Sequence, residues 1–253
     1  MKAICIIPAR LESTRFPGKL LVLAGGKTVL QRTWEQALGC SSFSSVYVAT
    51  DHEKIAQHIE QLGGNVLWTS PHWKNGTERI IEALQKNPHL QRAKIVVNVQ
   101  GDHPCTSVAA MEAVIKILEK DDQAMMSTAA RPLTDEKAFH SPQVVKCVFD
   151  GKKNALYFSR APIPYSRTGA PIGAYHHIGL YAYRTSFLLS SLGQPLTPLQ
   201  VGEDLEQLQI LERGFRIKVA LVKDPPIGVD TPEDLAQLEE YLQASQRERT
   251  FSR

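Results

Sequence analysis

Residues 8–19 read PARLESTRFPGK and follow the apolar run AICII at 3–7. Three cations, Arg10, Arg15 and Lys19, face one acid, Glu12, while Ser13 and Thr14 add hydroxyls. Two prolines and a glycine fix an irregular backbone there. Backbone N–H groups in such a turn, with guanidinium and ammonium groups beside them, can converge on phosphate oxygens. The segment lacks GxxxxGK[ST], and no GxGxxG follows the strand, so it is neither a Walker loop nor a dinucleotide fingerprint. Its plainer alternative is a solvated basic turn.

Two carboxylates complement that loop. In VVNVQGDHP (96–104) a hydrophobic strand ends, Gly101 turns the chain, and Asp102 is presented at the strand's carboxyl edge. In IGVDTPEDL (227–235), Asp230 follows an apolar run and precedes a helix that Thr231 can cap, which leaves Asp230 free for another role. Two such carboxylates plus triphosphate oxygens make a Mg²⁺ site. A further set lies in ALYFSRAPIPYSR (155–167), HHIGLYAYR (176–184) and EDLEQLQ (203–209). Arg160 sits among apolar residues, where a guanidinium needs an anion. His177 and Tyr181 are four apart and share a face if the segment is a strand. Glu206 and Gln207 can accept from and donate to sugar hydroxyls. His176 and His177 have no third ligand spaced to make a metal site. In WTSPHWKNGTERI (68–80) a Gly-Thr turn precedes a helix and caps either a ligand or the helix itself.

Strand-like runs must position these groups: 3–7, 45–50, 65–68, 94–100, 124–130, 144–149, 177–184 and 216–222. Helical patterns fall between them. TVLQRTWEQALG spans 28–39; a segment capped by Asp51 ends at Gly63-Gly64; 107–120 and 201–214 are amphipathic. Thr231, Pro232, Glu233 and Asp234 open a final helix with a cap, a first-turn proline and acids at the positive dipole end. Alternating strands and helices predict an α/β fold with a mixed, mainly parallel sheet covered on both faces. In such sheets ligands bind at the carboxyl ends of the strands. The stretch 152–177, rich in Pro, Gly and Tyr, breaks the alternation. It predicts a small antiparallel lobe over 152–200 inserted in a single domain of residues 1–253.

The 253 residues are 43% hydrophobic and 22% charged, which suits one large folded domain rather than disorder. Lys and Arg number 29 against 26 Asp and Glu, for a net charge of +3. That even, mild excess fits small anionic ligands and not a nucleic-acid stripe. Cys5, Cys40, Cys105 and Cys147 form no CxxC pair, so reduced thiols and no zinc site are expected. The apolar run at the start is too short for a membrane span. A cytoplasmic protein is expected.

IIPARLESTRFPGK, VATD, NGTER, VVNVQGD, NALYFSRAPIPY, HIGLYAYR, LEQL and GVDTPEDL occur in this order, and with them the chain resembles the CMP-Kdo synthetases, the 3-deoxy-manno-octulosonate cytidylyltransferases, over nearly its whole length. The resemblance implies a nucleotide-diphospho-sugar transferase fold. It implies transfer of CMP from CTP to the anomeric hydroxyl of 3-deoxy-manno-octulosonate (Kdo), with pyrophosphate released and Mg²⁺ as cofactor, for lipopolysaccharide assembly. Position by position it assigns Ala9, Arg10, Ser13, Arg15, Lys19, Gly76, Thr77 and Arg79 to CTP. Asp102 and Asp230 fall to the metal, and Gln100, Arg160, His177, Tyr181, Glu206 and Gln207 to the sugar acid. Arg15, Lys19, Asp102 and Asp230 form the implied catalytic set, and a homodimer is implied. One departure is VQGDHP where VQGDEP is usual, with His103 beside the implied metal ligand. Another is NGTER where SGTDR is usual. A sialic acid cytidylyltransferase and a non-catalytic nucleotide sensor are the rival readings; only the sensor needs no pair of metal carboxylates.

Overall fold

The computed structural model describes residues 3–73, 75–167, 173–190, 194–223 and 227–251. In chain order its elements begin with β1 (Ala3–Ala9), β2 (Leu23–Ala24), β3 (Lys27–Thr28), α1 (Val29–Leu38), β4 (Phe43–Thr50), α2 (Glu53–Gln61) and β5 (Asn65–Trp68). Next come α3 (Gly76–Lys86), β6 (Ile95–Val99), α4 (Val108–Lys120), β7 (Ala124–Pro132), α5 (Glu136–His140), β8 (Lys146–Phe149) and β9 (Ala155–Ser159). The chain continues through β10 (Tyr175–Arg184), α6 (Thr185–Ser190), α7 (Pro198–Glu203), α8 (Leu208–Glu212), β11 (Arg216–Leu221) and α9 (Pro232–Phe251).

The main sheet runs β11-β7-β10-β6-β1-β4-β5. Within that path β10 alone is antiparallel to its neighbours β6 and β7; β1 is parallel to β4 and β6, β4 to β5, and β11 to β7. Burial explains the order. All seven residues of β1 are buried, as expected of a parallel strand covered on both faces. Cys5, Ile7 and Ala9 join one core with Leu30 of α1, Ile55 of α2 and Met111 of α4. Ile4 and Ile6 join a second core with Ile80 and Leu84 of α3 and Leu208 of α8. Each fully buried Ile stabilises the fold by about 1.5–3 kcal/mol relative to exposure.

A small third cluster does the positioning. Ala24, Val29, Val229 and Leu238 pack together, with Phe16 against them. Phe16 belongs to the cationic loop and Val229 precedes Asp230, so this cluster joins two segments far apart in sequence. The Val229 N–H donates to the Asp102 carbonyl at 2.9 Å, which fixes the third segment. Gly18 adopts φ 72° and its N–H donates to Leu11 O at 3.1 Å. That left-handed residue, cheap only for glycine, turns the chain into a 3₁₀ turn at Lys19–Leu21.

Two sequence expectations are corrected, the cap of α2 and the helix over 201–214. The cap of α2 is His52, whose side chain accepts from Lys54 N at 3.2 Å; Asp51 instead pairs with Arg79 at 3.0 Å. The helix expected over 201–214 is two helices, α7 and α8. Asp204 between them is left-handed (φ 51°), and the Arg160 guanidinium takes the carbonyls of Glu203 (2.8 Å) and Asp204 (3.4 Å) that a continuous helix would use. The antiparallel addition begins before residue 152, because β8 pairs with both β9 and the start of β10. Parts of the 152–200 span, residues 168–172 and 191–193, lie outside the described residues. None of the four cysteines forms a disulfide among the described residues. Among the described residues no helix is long and apolar enough to cross a membrane.

Thr33 of α1 links the core to the turn bearing Asp102: its buried hydroxyl donates to Gly101 O at 3.0 Å. Thr33→Val keeps the shape and leaves that buried carbonyl unpaired. The expected cost is about 1–3 kcal/mol, read as a lower urea midpoint with an unchanged slope.

Candidate active site

A cleft of ≈ 700 Å³ opens at the carboxyl ends of β1 and β6. Its walls come from four places: the loop after β1, the first turn of α3, the turn after β6, and the α7–α8 junction with Asp230. Of the expected residues, Ala9, Arg10, Ser13, Arg15, Lys19, Gly76, Arg79, Gln100, Asp102, Glu206 and Asp230 line it. Gly76 is there by necessity: a Cβ would stand 2.9 Å from Pro8 Cγ, so only glycine lets α3 start this close to the end of β1.

The centre is a charge cluster. Lys19 Nζ lies 2.5 Å from Asp102 Oδ2 and 2.7 Å from Asp230 Oδ1. Arg15 Nη2 lies 2.9 Å from Asp230 Oδ2. Asp234 accepts from the Asp230 and Thr231 N–H groups at 3.0 and 2.9 Å, which fixes the turn into α9. Burial works against the charge on Lys19, yet Asp102 and Asp230 together raise its pKa. Burial likewise opposes ionisation of Asp102, but His103 and Lys19 outweigh it and hold the carboxyl below its usual range. The His103 ring fits beneath Gly228, where a Cβ would stand 3.0 Å from its Nε2, and that nitrogen is 3.8 Å from Asp102 Oδ1.

Both carboxylates therefore reach one cation-sized point. Mg²⁺ is typically held by one or two carboxylates plus substrate phosphates, and this donor set fits that pattern. Among the described residues no group of three or more His, Cys, Asp or Glu side chains gathers to hold a metal without substrate.

Arg160, His177, Tyr181, Gln207 and Thr77 are not among the residues lining the cleft. Arg160 donates to the carbonyls of Pro142, Glu203 and Asp204, and its N–H to Glu203 Oε2, so it braces the α7–α8 junction. His177 is buried, with Nε2 2.8 Å from the Thr128 hydroxyl, and burial first, then His176, pushes its pKa down to about 3. Tyr181 shares its face, with ring centroids 5.5 Å apart. Gln207 is buried, and its Nε2 has no partner. The Thr77 hydroxyl lies 3.5 Å from the Tyr183 hydroxyl. Sequence reasoning passed over Gln200, Asp204 and Trp73, which also line the cleft. Trp73 stood in the quoted turn before α3, and Asp204 was hidden by the expectation of an unbroken helix over 201–214.

Fold and site define a nucleotide-handling α/β protein with an acidic pair facing a cationic loop. A family model described as cytidylyltransferase matches residues 4–244. The chain belongs to the cytidylyltransferase family. It is 48% identical over 242 residues to the 3-deoxy-manno-octulosonate cytidylyltransferase of Protochlamydia amoebophila (strain UWE25), covering 94% of this chain and 93% of that one. It is 40% identical over 252 residues to the protein of the same name from Thermodesulfovibrio yellowstonii, covering 96% and 98%. A solved CMP:2-keto-3-deoxy-manno-octonic acid synthetase complexed with CTP superposes with a TM-score of 0.89 at 32% identity, covering 97% of this chain and all of that one.

Glu206 offers a test by pH. Burial raises its pKa to about 7, with Glu78 and Asp204 adding to the shift and the Thr77 hydroxyl opposing it. Between the ordinary glutamate value of roughly 4.3 and about 7, the folded state holds more proton than the unfolded one, so stability falls as pH rises through that window. Glu206→Gln removes this loss. Its melting temperature relative to wild type should climb from pH 4.5 to 7.5, measured by differential scanning fluorimetry.

Proposed function

We propose that this chain transfers the cytidylyl group of CTP to the anomeric hydroxyl of Kdo and releases pyrophosphate, with Mg²⁺ as its cofactor. The convergence of Asp102 and Asp230 on one point beside Lys19 carries the reading. A Mg²⁺ ion held by these carboxylates would lower the pKa of the anomeric hydroxyl and offset the charge building at the α-phosphorus. Arg15 and Lys19 set positive charge against the triphosphate, and the loop at 10–19 supplies N–H groups to its oxygens. The sugar oxygen forms its bond to the α-phosphorus as the bond to the β-phosphate oxygen breaks. Positioning and charge neutralisation by these groups do most of the work. Glu206, half-protonated near neutral pH, can both accept from and donate to a sugar hydroxyl. Arg160 steadies the wall that carries Glu206. The proposal includes a homodimer acting in the cytoplasm.

Pyrophosphate release tests it. Purified chain with Mg²⁺ should release pyrophosphate from CTP plus Kdo, and not from CTP alone or CTP plus sialic acid. Asp102→Ala and Asp230→Ala should each lower that rate at least ~10²-fold, as expected on losing a preorganised charge. Chelation with EDTA should abolish it, and added Mg²⁺ should restore it. Equal release with sialic acid, or near-normal rates in both variants, would overturn the assignment.

A further inference from the structure

Trp73 lines the cleft half-buried, yet its indole is fastened from behind. Its Nε1 donates to Glu82 Oε2 at 2.8 Å. Glu82 is itself buried on α3 and accepts from Ser70 N at 2.6 Å, from the Ser70 hydroxyl, and from Lys86 Nζ at 3.0 Å. Both ends of the segment are fixed as well. Thr69 N donates to Thr50 O at 2.9 Å, and Asn75 caps α3 by accepting from Glu78 N at 2.8 Å. A buried carboxylate that gathers this many donors to hold one rim indole is preorganising that ring.

The sheet order says what the ring faces. Asp102 belongs to the turn after β6, and Asp230 meets it there across Lys19. Trp73 follows β5, three strands along in the order β6-β1-β4-β5, a lateral offset of roughly 14 Å. Glu206 and Gln200 come from the α7–α8 junction, beyond β6 on the other side, where α8 packs on β9 and β11. A nucleotide whose α-phosphate meets the acceptor beside β6 therefore extends its base toward β5. A pyrimidine has a flat π-face; the sugar acid has none.

We propose that Trp73 is the stacking wall for the pyrimidine ring of the nucleotide and that Glu82 is its positioning residue. The inference rests on the CTP reading. The test is tryptophan fluorescence titrated with CTP alone, with tripolyphosphate and with Kdo as separate arms, alongside calorimetry of CTP binding. CTP should quench wild type saturably, and tripolyphosphate and Kdo should not. Trp73→Phe should lose most of the quench, since Trp34 and Trp68 remain. Trp73→Ala should also weaken CTP binding about 10-fold, the scale of one base stacked on one ring, with the KM for Kdo changed less than about twofold. Glu82→Gln should weaken CTP binding while leaving the protein folded by circular dichroism. Persistence of the quench in Trp73→Phe, unchanged CTP affinity in Trp73→Ala, or a quench that requires Kdo would overturn the inference. Calorimetric CTP binding without a Trp73-dependent quench defeats this inference alone; no CTP binding by wild type defeats the CTP reading with it.

Discussion

Asp102 and Asp230 lie far apart in the chain and meet across a single ammonium group. Two unit charges ~4 Å apart at an effective dielectric near 20 repel by about 4 kcal/mol. Burial of Asp102 makes its ionisation harder still, so positive charge beside it is needed to hold it ionised. The structure supplies this charge from Lys19 and Arg15, both from the loop that leaves β1. In the proposed reaction the two carboxylates would hold a divalent cation, and the cationic loop would offset the charge of the triphosphate.

Much of the fold serves that meeting. Parallel β1 and β6 lie side by side and end together, so the cationic loop and the Asp102 turn emerge at one edge. The small cluster of Phe16, Val29, Val229 and Leu238 brings in the Asp230 segment, and one backbone hydrogen bond from Val229 to Asp102 sets its register. Arg160 braces the far wall by occupying carbonyls that would otherwise continue a helix. The break at Asp204 is thereby stabilised, and Glu206 is turned into the cleft.

The strands and most helices were legible because burial on one or two faces imposes a period that survives in the sequence. The paired carboxylates were legible from their place after apolar strand ends. What could not be read was long-range. Nothing near Asp51 signals that it leaves its helix to neutralise buried Arg79. Nothing in 201–214, amphipathic throughout, reveals that a side chain some forty residues earlier interrupts it. Nor does the sequence near His177 and Arg160 show the partners they take, the Thr128 hydroxyl and the Glu203 carboxylate. The Trp73–Glu82 contact joins a loop to the middle of a helix and has no local signature.

The central claim is that the two aspartates act as one ligand pair. Electron paramagnetic resonance of Mn²⁺, titrated into the protein with a non-reacting CTP analogue, measures it directly. The account predicts one tight ion per chain, lost to a similar degree in Asp102→Asn and in Asp230→Asn and weakened no further in the double variant. Wild-type Mn²⁺ affinity in either single variant would contradict it.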